Sequence, residues 1–160
     1  MLAVCAGMQI LGESFAVAGG KTRAGLGLLD VTTRRGEGDR AVGEIAVRPD
    51  GEFGYPPLTG YENHGGVTTV GAMARPLGKV ISGRGNDDGS KTEGAIQGKI
   101  AGTYLHGPVL ARNAHFADRL LEWATGDHLA PLDDADVEAL RDERLAVANA
   151  PRRGGRRSKH

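Results

Sequence analysis

Two residues in this sequence have the surroundings of a nucleophile and its base. The first is Cys5, the single cysteine, which follows an apolar run at residues 1–4 and precedes Ala6 and Gly7. We expect a strand to end at Cys5 and a helix to follow, so that the sharp turn projects the thiol out of the fold. The helix N-terminus would favour the thiolate and aim backbone N–H groups at a developing oxyanion. A lone cysteine is more commonly a small buried residue, but this context favours a nucleophile.

The second residue is His106, within residues 102–108 (GTYLHGP). A histidine at the exit of a strand can face a cleft at the strand ends. A neutral imidazole there could take the thiol proton and return it to a leaving group. Alone, His106 would be interpreted as a surface-loop histidine; together with Cys5 it forms a candidate dyad.

The segments between these two residues predict short strands and turns. The sequence has 26 glycines, spread without a period, which is typical of many tight turns. Residues 67–70 (VTTV) are rich in β-branched side chains and predict a strand. Residues 95–97 and 100–105 predict a final strand pair that leads into His106. Residues 8–15, directly after the Cys5 turn, have helical character.

Two helices are predicted after His106. Asn113 can cap the first helix and Gly126 can end it. Its apolar face carries Phe116, Leu120, Trp123 and Ala124. A second amphipathic stretch runs from about residue 134 to 147, with acidic residues favouring its first turn.

Composition limits the function classes. The 160 residues fit one domain, which we place at residues 1–150, followed by a disordered basic tail at 151–160. Twenty basic and 20 acidic residues give zero net charge, which argues against a nucleic-acid or membrane binder. The sequence has neither a membrane-spanning run nor a signal peptide, so we expect a cytoplasmic protein. One cysteine excludes a cysteine-rich zinc site, and we expect no metal.

Three segments, in order, resemble the class I glutamine amidotransferases. Residues 3–9 (AVCAGMQ) are similar to the nucleophile motif of that family, and residues 102–108 to the histidine segment of the branch that amidates cobyric acid and peptidoglycan precursors. Residues 60–66 (GYENHGG) resemble the amidotransferase subunits of lipid II isoglutaminyl synthases. The resemblance covers about residues 1–126. It implies an α/β fold with an incomplete doubly wound, flavodoxin-like sheet, because the family's elements ahead of the nucleophile are expected to lie outside this sequence.

The resemblance also implies an activity. The cysteine would attack the side-chain amide of L-glutamine, ammonia would leave from a glutamyl thioester, and water would release glutamate. Ammonia would pass to a Mur-ligase-like partner in a heterodimer, which amidates the D-glutamate of lipid II to D-isoglutamine. ATP and Mg²⁺ are expected on that partner and no cofactor on this chain. Lipid II would be reached only through the partner.

The resemblance assigns further residues to the site. Arg40 matches an arginine that the lipid II branch uses to hold the glutamine α-carboxylate, a task that suits a guanidinium. Three nearby arginines compete for this role: Arg34, Arg35 and Arg48. Gln9 could contact the substrate amide, and the Ala6 N–H is the identifiable part of the oxyanion hole.

Two features of the site stay open. Glu62, Asn63 and His64 either form a wall of the glutamine site or the ammonia exit, or belong to a structural loop that satisfies backbone groups. Pro108 stands where many class I enzymes carry a glutamate. The histidine motif therefore lacks a triad carboxylate, which the partner or another acidic residue of the chain could supply.

Two other functions are compatible with the sequence. One is an enzyme of the same fold that amidates cobyrinic or cobyric acid, although such enzymes usually carry an ATP-binding synthetase domain in the same chain. The other is an inactive truncated fragment in which Cys5 is only a buried residue. If labelling by a glutamine-mimicking electrophile depends on Cys5, the inactive fragment is excluded. The lipid II and corrinoid functions both require this dependence.

Overall fold

The computed structural model describes residues 1–50, 56–130 and 135–149. In this part of the chain, one helix follows the first strand, ten further strands come next with a short 3₁₀ turn at Ala18–Gly20 among them, and three helices come last. The strands are β1 (Leu2–Val4), β2 (Ser14–Ala16), β3 (Thr22–Ala24), β4 (Val31–Arg35), β5 (Ala41–Pro49), β6 (Leu58–His64), β7 (Gly66–Val70), β8 (Gly78–Ser82), β9 (Thr92–Glu93), β10 (Ala95–Gln97) and β11 (Ile100–Thr103). The helices are α1 (Ala6–Leu11), α2 (Val109–Arg112), α3 (Ala114–Thr125) and α4 (Ala135–Asn149).

The described strands form three small sheets. In the first, with order β1-β11-β10, β1 runs parallel to β11 and β10 runs antiparallel to it. The second has the order β3-β2-β4-β7, and the third has the order β6-β5-β8-β9. Helices together with mixed parallel and antiparallel strands confirm the predicted α/β class. The predicted strand pair ahead of His106 is also confirmed, as β10 and β11.

The parallel pair β1 and β11 positions the two candidate catalytic residues. Val4 lies opposite Thr103, and the Cys5 N–H donates to the Thr103 carbonyl at 2.8 Å. Because parallel neighbours end at the same edge of a sheet, Cys5 and the segment after β11 lie on one side of it. Gly102 permits this arrangement, since a Cβ there would come within 2.5 Å of the Met8 Cγ and push α1 away from β11.

Two apolar clusters stabilise these elements, and each large buried side chain contributes about 1.5–3 kcal/mol. The first cluster lies between the third sheet, β10, β11 and helices α2 and α3: Ile45, Val47, Leu58, Leu77, Ile96, Ala101, Leu105, Val109 and Phe116. The second cluster lies under α1: Ala3, Met8, Leu11, Leu29, Val31, Ala95 and Tyr104. Cys5 packs against the second cluster, so the candidate nucleophile is supported by buried side chains.

The helix predicted at residues 8–15 is wrong beyond Leu11. Ser14 and Phe15 belong to β2, which pairs with both β3 and β4. The Glu13 N–H already donates to the Val31 carbonyl at 2.8 Å, so strand pairing with distant residues overrides the local helical pattern.

The first predicted helix after His106 ends as expected but is not capped as expected. Gly126 has φ 84°, the left-handed conformation that ends α3. Asn113 precedes α3, but its side chain makes no capping bond. Instead, its amide group exchanges two hydrogen bonds with the Thr59 backbone, at 2.9 and 2.8 Å. Asn113 therefore ties α3 to β6.

The predicted apolar face of α3 is largely found. Phe116 is buried, and Leu120 and Trp123 pack against the first cluster, whereas Ala124 is exposed because it lies at the edge of that face. The predicted stretch at 134–147 is helix α4. The basic tail predicted at 151–160 lies outside the described residues.

Candidate active site

Cys5 has the backbone conformation of a nucleophile held in a sharp turn. Its φ of 53° and ψ of −111° lie where residues with a β-carbon are rarely found. Such conformations persist only where the surrounding structure imposes them, and they concentrate at functional sites. Here Cys5 stands between strand β1 and helix α1, the strand–turn–helix context of a nucleophile elbow.

A cleft of about 920 Å³ opens beside Cys5. The residues that line it include four of those singled out in the sequence: Gln9, Arg40, Asn63 and His64. Arg34 and Arg35 also line the cleft, whereas Arg48 does not. Pockets of this size hold small organic ligands, and the arginines favour a ligand that carries a carboxylate.

The His106 ring is held by backbone carbonyls. Its Nδ1 lies 2.9 Å from the Tyr104 carbonyl oxygen and 3.1 Å from the Tyr61 carbonyl oxygen. A carbonyl can only accept a hydrogen bond, so Nδ1 carries a proton and Nε2 is the nitrogen that can act as the base. The His106 N–H also donates to the Tyr61 carbonyl at 2.9 Å, which fixes the backbone. No carboxylate is needed to select this tautomer.

A hydroxyl chain supports the side of the cleft that contains Gln9. The Gln9 Nε2 donates to the Tyr104 hydroxyl at 3.1 Å, and that hydroxyl lies 2.7 Å from the Thr68 Oγ1. The Thr68 Oγ1 in turn lies 2.8 Å from the Thr33 Oγ1. Gly66 makes room for this contact, because a Cβ there would approach the Gln9 Nε2 to 2.9 Å. Burial raises the pKa of Tyr104, so its hydroxyl stays protonated and available as a donor.

Arg40 is held over the cleft by Asn63. Its Nη2 donates to the Asn63 Oδ1 at 2.9 Å and to the Asn63 carbonyl at 3.1 Å. Both residues are exposed; Arg40 directly precedes β5, and Asn63 lies on the paired strand β6. One side of the guanidinium is thereby fixed while its other nitrogens can address a ligand. Arg34, by contrast, bonds only weakly to the Arg35 carbonyl, at 3.5 Å.

The predicted wall residues on β6 divide between cleft and interior. Asn63 and His64 line the cleft, whereas Glu62 is not among its lining residues. The buried Glu62 carboxylate accepts the Arg84 and Gly85 N–H groups, at 3.0 and 3.1 Å. Glu62 thus satisfies backbone groups of a turn, whereas the structural interpretation of this segment assigned that role to Asn63 and His64.

His64 is a buried neutral imidazole. Its ring stacks on Tyr104 with centroids 3.7 Å apart, and its Nδ1 lies 2.9 Å from the Gly66 carbonyl. Burial lowers the pKa of His64, an effect that outweighs the opposing hydrogen bond to Gly66. His64 therefore contributes shape and polarity to the cleft rather than charge.

A family model describes the chain from its first residue. Residues 1–114 match the CobB/CobQ-like glutamine amidotransferase domain. The chain belongs to this family. The two residues that sequence and geometry single out as nucleophile and base, Cys5 and His106, both lie inside the matched range.

Named relatives agree with this assignment. The chain is 37% identical over 124 residues to the subunit GatD of the lipid II isoglutaminyl synthase (glutamine-hydrolyzing) of Streptococcus pneumoniae, with 78% of the chain and 47% of the relative covered. It is 37% identical over 137 residues to the same subunit from Staphylococcus aureus, with 86% and 54% covered. A probable cobyric acid synthase of Methanosphaera stadtmanae is 38% identical over 114 residues, with 65% and 22% covered. The chain spans about half the length of the first two relatives.

Ala6, whose N–H is the predicted oxyanion donor, directly follows Cys5. Ala6 begins α1, so its N–H belongs to the first turn, where helical N–H groups have no intrahelical acceptor. It adjoins the candidate nucleophile, as an oxyanion donor must.

Among the described helices none is long and apolar enough to cross a membrane.

The sequence interpretation missed a buried glutamate below the dyad. Glu93, at the end of β9, is fully buried, and its Oε1 accepts the Thr103 hydroxyl and the Tyr104 N–H. Burial raises the pKa of Glu93 to about 7 despite these hydrogen bonds. The available signal was weak, namely a charged residue just ahead of the final predicted strand pair. Tyr104 was also missed, although it lies inside the quoted histidine segment.

Proposed function

We propose that this chain is the glutamine-hydrolysing part of an amidotransferase, with Cys5 as nucleophile and His106 as base. One observation supports this most. At the common edge of β1 and β11, a cysteine in a strained turn follows one strand, and a histidine with its Nε2 left basic follows the other. Membership of a glutamine amidotransferase family then favours glutamine as the substrate.

The reaction proceeds in two halves. The imidazole takes the thiol proton, the sulfur attacks the amide carbon, and the tetrahedral oxyanion is stabilised by the Ala6 N–H. The C–N bond breaks, the imidazolium returns its proton to nitrogen, and ammonia leaves from a glutamyl thioester. Water, deprotonated by the same imidazole, then attacks the thioester, and glutamate departs as the thiol reforms.

We further propose that the ammonia serves amidation of lipid II. Two relatives that cover most of this chain are named as subunits of a lipid II isoglutaminyl synthase. The acceptor would be the D-glutamate carboxylate, activated on a Mur-ligase-like partner that holds ATP and Mg²⁺. A corrinoid carboxylate is the alternative acceptor, supported by the cobyric acid synthase, which covers a smaller share of the chain.

Labelling with diazo-oxo-norleucine, an electrophilic glutamine mimic, tests the glutamine site. We expect one adduct, located on Cys5 by peptide mass spectrometry, with labelling slowed by L-glutamine. D-glutamine is the matched competitor and is expected to protect less. Labelling that persists in Cys5→Ala, or that L-glutamine does not slow, would refute a glutamine site at this cysteine.

Replacing Arg40 with alanine is expected to raise KM for glutamine about 10- to 100-fold with little change in kcat. A charge-assisted bond to the α-carboxylate is worth about 1.5–3 kcal/mol, and a distant carboxylate contact binds ground and transition states alike. Steady-state glutaminase kinetics measure both constants.

Other arginines provide the controls for this assignment. Arg48→Ala removes an arginine of β5 that does not line the cleft, so its KM should match that of the unmodified protein. Arg34→Ala removes a competitor that does line it. A larger rise in KM for Arg34→Ala than for Arg40→Ala would transfer the carboxylate-binding role to Arg34.

A further inference from the structure

We propose that Glu93 is a positioning residue for Cys5 and His106, which it orients through two backbone peptides. This inference rests on the proposed glutaminase function and extends it. It addresses the absence of a carboxylate from the histidine motif, where Pro108 occupies the usual position.

Glu93 binds the end of β11 through hydrogen bonds. Its Oε1 accepts hydrogen bonds from two successive residues, the Thr103 hydroxyl and the Tyr104 N–H, the latter at 2.8 Å. The Thr103 Oγ1 also accepts the Leu105 N–H at 3.0 Å. Glu93 thus fixes the Tyr104 backbone directly and the Leu105 backbone through the Thr103 hydroxyl, just ahead of His106.

The same two residues contact the dyad directly. The Thr103 carbonyl accepts the Cys5 N–H at 2.8 Å, and the Tyr104 carbonyl accepts the proton on the His106 Nδ1 at 2.9 Å. Glu93 is therefore linked to Cys5 through one peptide, and to His106 through the Thr103 hydroxyl and the following peptide. A shift of the Tyr104 peptide would rotate its carbonyl away from the imidazole. Only the longer contact, 3.1 Å to the Tyr61 carbonyl, would then hold the Nδ1–H tautomer.

The burial of Glu93 supports a functional reason for a carboxylate here. Glu93 is fully buried, and its Oε2 has no hydrogen-bond partner among the described residues. Burying a carboxyl group costs free energy unless hydrogen bonds compensate for its lost hydration, and both hydrogen bonds described here go to Oε1. Stability does not account for the unpartnered Oε2, whereas positioning of the dyad requires the Oε1 acceptor.

Kinetics of two variants test this role. Glu93→Met fills a similar volume without an acceptor, and we expect kcat to fall about 10- to 100-fold with KM nearly unchanged, as for a misplaced catalytic group. Glu93→Gln keeps an oxygen acceptor and should restore most of the turnover. Glu122→Gln is the matched control, because Glu122 pairs with Arg119 at 2.9 Å on helix α3 and makes no hydrogen bond to Thr103 or Tyr104. A kcat of Glu93→Met equal to that of Glu122→Gln would overturn the proposal.

The tautomer of His106 gives a second readout that does not depend on activity. Nitrogen NMR of histidine-labelled protein, assigned with His106→Gln, should show the Nδ1–H form in the unmodified protein and in Glu93→Gln. Glu93→Met should show a mixture of the two neutral tautomers, and an unchanged Nδ1–H form would contradict the inference. If the unmodified protein hydrolyses no glutamine, the proposed function fails while the NMR result still decides the positioning role.

A substitution of Thr103, which donates to Glu93, provides a second test if Glu93→Met does not fold. Thr103→Val removes one of the two hydrogen bonds to the Glu93 carboxylate and keeps the shape of the side chain. We expect a several-fold lower kcat, with the same partial loss of the Nδ1–H tautomer. Unchanged turnover together with an unchanged tautomer would overturn the proposal.

Discussion

Replacing Cys5 with alanine is expected to abolish glutamine hydrolysis, with a loss of at least about 10⁴-fold in kcat, because no other group can form the thioester. The cleft beside Cys5 contains amide, hydroxyl and guanidinium groups but, among the described residues, no second thiol. Release of glutamate at saturating glutamine measures the loss. Glutamine binding should persist, since the arginine and amide contacts of the cleft are retained.

The backbone of Cys5 provides a control that separates lost chemistry from lost structure. At φ 53° a side chain with a β-carbon is strained and glycine is not. Cys5→Gly should therefore be as inactive as Cys5→Ala but melt at a higher temperature than Cys5→Ala. A folded alanine variant that retains a tenth of the original turnover would rule out Cys5 as the nucleophile.

The positions of Cys5 and His106 could be predicted because each depends on local sequence. An apolar run followed by small residues predicts a strand, a turn and a helix, and the structure has β1, Cys5 and α1 in that order. A strand that leads into His106 was likewise predicted from residues 100–105. Parallel pairing of the two strands follows from the fold class, and it brings both residues to one edge.

The supporting hydrogen bonds could not be predicted from local patterns. Gln9 and Tyr104 are 95 residues apart in sequence, and Thr68 is 36 residues from Tyr104. Nothing near either threonine indicates which hydroxyl it will meet, because that depends on how separate sheets pack. The same limit explains the failed helix after Leu11, where pairing of β2 with distant strands decides the outcome.

The sequence could not decide which arginine binds the carboxylate, because that depends on the position of each side chain in the structure. Four arginines were open for the carboxylate role, and the structure removes Arg48 from the cleft. Among the three arginines that line the cleft, the contact of Arg40 with Asn63 favours Arg40. Asn63 holds Arg40 with two hydrogen bonds, and a pre-oriented guanidinium loses less conformational entropy on binding a carboxylate. The pairing of β5 with β6 that brings Arg40 to Asn63 is not encoded near either residue.

The missing triad carboxylate has a structural explanation within this chain. In a Ser-His-Asp triad, the carboxylate selects the histidine tautomer and orients the ring. Here two backbone carbonyls, of Tyr61 and Tyr104, do both for His106. Pro108 in the usual carboxylate position is therefore compatible with a working base, and a carboxylate from a partner is not required to select the tautomer.

Replacing His106 with alanine is expected to lower kcat about 10²- to 10⁴-fold, the usual range for loss of a general acid–base. The thiol would lose the base that takes its proton, and the departing ammonia would lose its acid. Glutamate release measures the effect, and added imidazole should restore part of the activity by entering the vacated space. His128→Ala is the control, because that exposed histidine does not line the cleft and pairs with Glu122.

His106→Asn separates the base from the bonds that hold it. An asparagine amide can still donate to the Tyr104 and Tyr61 carbonyls, the two acceptors of the His106 Nδ1. It has no basic nitrogen, so we expect turnover as low as in the alanine variant together with a melting temperature closer to that of the unmodified protein. Activity in His106→Asn but not in His106→Ala would mean that residue 106 contributes by donating hydrogen bonds to these carbonyls. Another group of the site would then have to be the base.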